Sequence, residues 1–234
     1  LALKNNGIAI RKLAGVEWDE LSRNISRTHH PGEDHTSLPQ DMNKVTRAHL
    51  CDYANKHGAP DWFVATTPCQ GLSRANKGGK GLADERSRLF IKAIEIYEIL
   101  LELNPNLKFL FENVNFKQAH PKDYAWVCSK LGEPYQHNAK ALSASSRDRL
   151  FWHNLGEPEW TPGPVPAEWC LEGGASLAGG GTTMPCLMAS WRCHHPECKG
   201  TRECKSPHNH TEHQRMHTKN PPLVAEPQGG ARQL

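Results

Sequence analysis

No stretch of the 234 residues approaches the roughly 20 consecutive apolar positions that a membrane-spanning helix needs, and no charged-then-apolar leader of the secretory kind opens the chain. Dense cysteine spacing is missing too. The eight cysteines are scattered, five of them from Cys170 onward, so a reducing intracellular setting is expected over a secreted one. Charge of one sign is scarce: 28 Lys and Arg against 25 Asp and Glu leave a net +3, which permits a nucleic-acid partner without requiring one. The glycines near Lys80 do not make a phosphate-binding P-loop, because Lys80 is followed by glycine and not by Ser or Thr. The chain starts at Leu1 without a methionine and stops at "GGARQL", and it reads as a piece of a longer protein.

What is present divides in two. Residues 1–155 alternate short apolar runs with helical patterns, the signature of an α/β domain around a mainly parallel sheet. Residues 156–234 are loop-rich, opening with "WTPGPVPAEW" and "LEGGASLAGGG", so a boundary is placed near 156–166. Strands are expected near 10–17, 60–67, 107–114, 135–142 and 148–155, and helices near 19–29, 47–57, 84–103 and 121–131. In the long helix, Asp84 can cap the start, Lys92, Glu95, Glu98 and Glu102 form a polar stripe, and Asn104-Pro105 ends it.

The strands finish on chemistry. "DWFVATTP" breaks at Pro68 and presents Cys69; "LKFLFENV" reads as a strand buried on both faces that ends in Glu112-Asn113; "KLAGVE" ends in Glu17. Ligands of open parallel sheets bind beyond the carboxyl ends of the strands, so these three residues are expected on one rim. Taken singly, each has a plainer account. A cysteine is more often packing than nucleophile, and a strand-end glutamate is often a salt bridge.

Order and spacing add what single residues do not. "TTPCQGLS", "FENV" at 111–114 and "SASSRDRLFWHNL" at 143–155 resemble the successive catalytic motifs of the cytosine-5 DNA methyltransferases, most closely those of the de novo branch. Many relatives carry glutamine two residues before the first arginine of the last motif; here Ser145 stands there, as in that branch. The resemblance covers residues 1 to about 155 and implies an S-adenosylmethionine-dependent methyltransferase sheet of Rossmann-like type, acting on double-stranded DNA inside the cell. It implies that the Cys69 thiolate attacks C6 of a flipped cytosine, that Glu112 donates to N3, and that Arg147 and Arg149 support the base and the active-site loop. Glu17 matches the acid that binds the ribose hydroxyls of S-adenosylmethionine, Asp41 the residue facing the adenine amino group, and Pro68 lies at the same site.

The segment from Gln70 to Ala83 resembles the family's closing loop, with Gln70, Ser73, Arg74 and Lys77 facing DNA and Gly78, Gly79 and Gly81 allowing movement. The family's first glycine-containing motif would precede Leu1, and "ARQL" resembles the start of a late segment, so residues 1–234 alone are expected to bind the cofactor negligibly and to methylate nothing. Between Trp191 and Thr218 lie Cys193, Cys198 and Cys204 with six histidines, and Cys193, Cys198, His213 and His217 are spaced close to a zinc finger. A structural zinc and a solvated, histidine-rich, DNA-facing loop are the two readings of that tail, which falls in the family's target-recognition region. The alternative to an enzyme is a non-catalytic methyltransferase-like module that binds DNA or a partner. A tRNA cytosine methyltransferase is a further rival, although Gly71-Leu72-Ser73 after Pro-Cys-Gln is the DNA-type string.

Overall fold

The alternation of apolar runs and helical periodicities becomes, in the computed structural model, an alternation of strands and helices. Residues 9–73, 76 and 78–157 are described, with positions 7, 163 and 165. In chain order they form β1 (Leu13–Ala14), α1 (Glu20–His29), β2 (Glu33–Asp34), α2 (Arg47–His57), β3 (Trp62–Thr66), α3 (Arg88–Leu103), β4 (Lys108–Val114), α4 (Pro121–Leu131), β5 (Tyr135–Asn138) and β6 (Asp148–His153). The described residues fall into two compact units, one running to Gln136 and resuming over Leu150–Glu157, the other holding His137–Arg149 and the described positions beyond Pro158. Among the described residues no helix is long and apolar enough to cross a membrane. The class is the α/β class read from the sequence.

β1 and β2 pair in parallel as a two-stranded sheet, and a four-stranded sheet has the order β3-β4-β6-β5. β3 and β4 are parallel in register from Trp62 opposite Lys108 to Thr66 opposite Glu112. Parallel neighbours need a crossover, and α3 supplies it. Its inner face buries Phe90, Ala93, Ile94, Ile96, Tyr97 and Leu100. The polar stripe faces out as the spacing predicts: Lys92 lies 3.2 Å from Glu95, Glu98 is 2.9 Å from Lys130 of α4, and Arg47 of α2 grips Glu102 at 2.6 and 3.0 Å.

Helix ends follow their local chemistry. Thr46 and His49 exchange capping hydrogen bonds at the start of α2, and Gly58 at φ +86° ends it. Pro121 opens α4 and Gly132 at φ +84° closes it. Asn104 stops α3 and donates through its side chain to the Pro60 carbonyl at 2.8 Å, fixing where β3 begins relative to the helix.

Five expectations need correction. Helix α3 begins at Arg88, because the Asp84 carboxylate is taken by Arg86 and does not cap; 84–87 is a separate turn. Strand β4 is buried on one face only, through Phe109, Phe111 and Asn113, with Leu110, Glu112 and Val114 half-buried; its end at Val114 is the expected one. β1 has only two residues, its ladder ending as the Gly15 N–H reaches the Asp34 carbonyl at 3.0 Å. β5 stops at Asn138, whose side chain accepts from the Lys140 and Arg147 N–H groups and turns the chain. Likewise β6 gives way at Asn154, which donates to the Leu107 carbonyl (2.9 Å) and accepts from the Phe109 N–H (3.0 Å), standing in for a further strand residue beside β4.

The core beneath the main sheet is aromatic. Phe90 of α3 meets Phe111, Phe116 and Trp152 at ring separations of 5.9, 6.4 and 5.6 Å, and all four side chains are fully buried. By contrast α1 buries nothing: Trp18, Leu21 and Ile25 on and beside it are 81%, 68% and 55% exposed. Phe90→Ala should therefore lower unfolding free energy by about 3–5 kcal/mol in urea titration, whereas Ile25→Ala should change it by less than about 0.5 kcal/mol; similar losses would show that the core is centred elsewhere.

Candidate active site

The carboxyl ends of β3 and β4 are brought to one edge by their parallel register, so the residues just past Thr66 and those flanking Glu112 must be neighbours. A buried amide fastens the two. Asn113, 1% exposed, donates to the Thr67 hydroxyl at 3.1 Å and its carbonyl at 3.4 Å, while its own oxygen accepts from the Val114 N–H at 2.8 Å. Thr67 is itself buried, and two residues later the chain presents Cys69, a free and half-buried thiol. The sequence pattern favours Glu112 over its neighbour Asn113, and the structure gives Asn113 the fastening role. A polar residue at an inward strand position was the signal available.

Cys69 sits at the head of a closed turn, its carbonyl accepting from the Leu72 N–H at 3.1 Å and the Ser73 N–H at 2.8 Å. Gly71 in that turn has no space for a side chain: a Cβ would strike the Ser87 hydroxyl and lie 2.5 Å from the Asp84 Cβ. The Gly81 N–H returns to the Gly71 carbonyl at 3.1 Å, and Leu72 and Leu82 are buried on either side. Gly81 has φ +63°, and a Cβ there would run into Asp123 Oδ2; at Gly79 one would come within 2.6 Å of the Gly71 carbonyl. The expectation that Gly79 and Gly81 confer movement is thus corrected. They permit close packing at the root of the segment. Gln70 is exposed and Ser73 half-buried, while Arg74 and Lys77 lie outside the described residues.

Of the cofactor candidates, Pro68 is half-buried directly before Cys69, and Glu17 and Asp41 also belong to the first unit. Gln40 donates to the Gly15 and Leu38 carbonyls at 3.2 and 2.9 Å, and its oxygen accepts from the Glu17 N–H at 3.4 Å, so the turn carrying Glu17 is tied next to Asp41. The Glu17 carboxylate is exposed and accepts from the Asp19 N–H at 2.9 Å; Asp41 accepts from the Asn43 backbone and side chain. Below them His35 is buried, 3.2 Å from Glu33 and 3.3 Å from Gln40. Asp34 is held far below the ordinary carboxylate range, chiefly by the Ser37 hydroxyl, with the Thr36 and Ser37 N–H groups adding to it. Glu17 follows β1, which pairs with β2 in a ladder separate from that of β3 and β4. The exposed Trp18 beside Glu17 went unread in the sequence, where an aromatic next to a helix start carries no distinguishing pattern.

Arg147 and Arg149 belong to the second unit. There Arg147 is exposed and held through its backbone, its N–H donating to Asn138 Oδ1 and its carbonyl accepting from the Ala139 N–H, both at 3.0 Å. Arg149 is half-buried and donates to the Asp148 carbonyl at 2.7 Å. Among the described residues no group of His, Cys, Asp and Glu could hold a metal, and the tail candidates Cys193, Cys198, Cys204, His213 and His217 lie outside them.

A half-buried thiol and a half-buried carboxylate thus stand at the carboxyl edge of one parallel strand pair. Residues 1–145 match the C-5 cytosine-specific DNA methylase family, more than half of the chain, and the chain belongs to that family. Its fold is similar to that of a DNA modification methyltransferase encoded within an E. coli prophage, at 19% identity and TM-score 0.47, covering 65% of this chain and 45% of that one. It is also similar to the Entamoeba histolytica methyltransferase EhMeth, at 12% identity and TM-score 0.43, covering 70% and 52%. This chain therefore spans about half the length of either structure.

Asp84, whose Cβ helps exclude a side chain at Gly71, is locked by Arg86 through two contacts of 2.8 Å, and this pair holds its carboxyl at about 2. The folded value lies below the ordinary 3.8, so the stabilisation is complete above about pH 4 and vanishes as pH falls through about 2. Arg86→Ala should bring the Asp84 midpoint back toward 3.8 in an NMR titration, and an unmoved midpoint would assign the depression to another group.

Proposed function

We propose that this chain is part of a DNA cytosine-5 methyltransferase, its motifs most similar to those of the de novo branch, which transfers a methyl group from S-adenosylmethionine to C5 of a flipped cytosine by way of a Cys69 adduct. The observation that carries the reading is the delivery of the Cys69 turn and of Glu112 to the same end of two adjacent parallel strands, fastened by Asn113. The reaction takes place where the protein meets cellular DNA.

Cytosine C5 is a weak nucleophile. When the Cys69 thiolate bonds to C6, the C5–C6 electron pair becomes available at C5 and charge moves toward N3. Glu112, half-buried in β4, is the group to hydrogen-bond or protonate N3, where preorganised donors are worth most. Methylated C5 then loses its proton, the pair re-forms the double bond, and the thiolate leaves. Arg147 and Arg149 support the base and the active-site loop; Gln70, Ser73, Arg74 and Lys77 are assigned to the DNA, the two cations to its phosphates.

S-adenosylmethionine supplies an electrophilic methyl group on a sulfonium centre. The residues present fit the adenosine end of that group: Glu17 is an exposed acid suited to two ribose hydroxyls, Asp41 is a neighbouring acceptor for an amino group, and Trp18 is an exposed indole suited to a purine, with half-buried Pro68 assigned to the same site. Gln40 keeps the Glu17 and Asp41 segments together. In the tail, Cys193, Cys198 and Cys204 with the nearby histidines would hold a structural zinc within the target-recognition region.

DNA carrying 5-fluorocytosine cannot complete the elimination. The full-length protein should become covalently trapped on it, and Cys69→Ser should abolish trapping; equal trapping by the serine variant would remove Cys69 from the mechanism. Glu112→Gln should lower turnover about 10²–10³-fold with DNA affinity nearly unchanged, and parallel losses in both would make Glu112 a structural residue instead.

A further inference from the structure

The Cys69 turn is fastened at Thr67 on its strand side, and a second fastening comes from α4. Asp123, in the first turn of that helix, accepts the Leu82 N–H through Oδ2 at 2.9 Å, and the same oxygen occupies the space that a Cβ on Gly81 would need. The neighbouring Gly81 N–H donates to the Gly71 carbonyl, and Gly71 lies inside the turn that the Leu72 and Ser73 N–H groups close onto the Cys69 carbonyl. Four groups thus form one chain of contacts: carboxylate, Leu82 with Gly81, Gly71, and the Cys69 turn. An acid in the first turn of a helix is favoured there by the helix dipole alone, but the dipole does not require that acid to reach residue 82, 41 positions away in sequence. Nor does it explain two glycines whose missing side chains let the contacts close.

We propose that Asp123 is a positioning residue for the nucleophile: it does not touch the base, and it fixes the Cys69 turn through Leu82, Gly81 and Gly71. The assignment rests on Cys69 being the nucleophile. It predicts a selective defect. Loss of the carboxylate frees the root of the turn and moves Cys69 off its line of attack, a displacement of the kind that costs about tenfold to a hundredfold in rate. The Glu17 and Asp41 segments, tied by Gln40, are untouched.

The test uses the full-length protein and 5-fluorocytosine DNA, reading the rate of adduct formation together with cofactor affinity by calorimetry. Asp123→Ala should slow adduct formation about tenfold or more while cofactor affinity stays within about twofold. Asp123→Asn keeps an acceptor in place and should stay within about threefold of wild type. Asp123→Glu keeps the charge and its favourable place on the helix but lengthens the reach by one methylene, and should be slowed like the alanine variant. Should Asp123→Ala fail to fold, the Asn and Glu variants decide: equal adduct rates for the two overturn the proposal, and a fast Asn with a slow Glu supports it. A wild-type protein that forms no adduct overturns the nucleophile assignment and this proposal with it. Wild-type trapping matched in rate by Asp123→Ala overturns the positioning role alone.

Discussion

The arrangement depends on one side-chain amide. Asn113 lies inside the end of β4 with essentially no contact with water, and a buried amide left unpaired would cost about 1–3 kcal/mol, so it pairs where the geometry allows. Its partner is Thr67, the first residue past β3. Given the in-register ladder from Trp62 to Thr66, that bond sets where the chain must turn away, and hence where Pro68 and Cys69 come to rest. The alternation of β4 does the rest. With Phe111 and Asn113 turned inward, Glu112 is turned to the other face, and one pleat separates core packing from chemistry.

Energetics and function use different parts of the same helix. The inner face of α3 joins the aromatic cluster of Phe90, Phe111, Phe116 and Trp152, which carries the stability of the first unit. Its outer ion pairs, Arg47 with Glu102 and Lys130 with Glu98, are solvent-exposed and each contributes little, yet they bridge α3 to the start of α2 and the end of α4 and so discourage sliding of the helices. The first turn of α4 reaches Leu82, so order in the helical layer is passed to the turn beside the thiol.

Much of this was legible in the sequence because it is local. The helices at 47–57 and 121–131 have the bounds that their Thr, Pro and Gly signals dictate, and the α3 stripe needs only a count of three and four. The motif residues of the thiol and the carboxylate were legible for a similar reason, since each comes after a recognisable apolar run. What was not legible depends on partners far along the chain. Asp84 has the composition of a cap, and only the folded turn shows that Arg86 has taken it. A glycine in a loop looks like freedom until Asp123 is found occupying its missing side chain's place. Gln40 looks like any surface polar residue until Gly15, 25 positions earlier, supplies its carbonyl. The two-residue β1 behaves in the same way: a longer apolar run was visible, but its ladder partner was not.

The close approach at Gly71 and Gly81 has a genetic consequence. Every single-base change in a glycine codon that alters the amino acid, to Ala, Val, Ser, Cys, Arg, Asp, Glu or Trp, adds a Cβ, and at both positions a Cβ collides with neighbours already in place. No one-step amino-acid replacement avoids the clash, and changing a single neighbour does not lift it: at Gly71 both the Ser87 hydroxyl and the Asp84 Cβ stand in the way, and at Gly81 His120 and the φ of +63° remain once Asp123 is gone. The root of the thiol's turn is thus a region where the genetic code and the packing close the same routes.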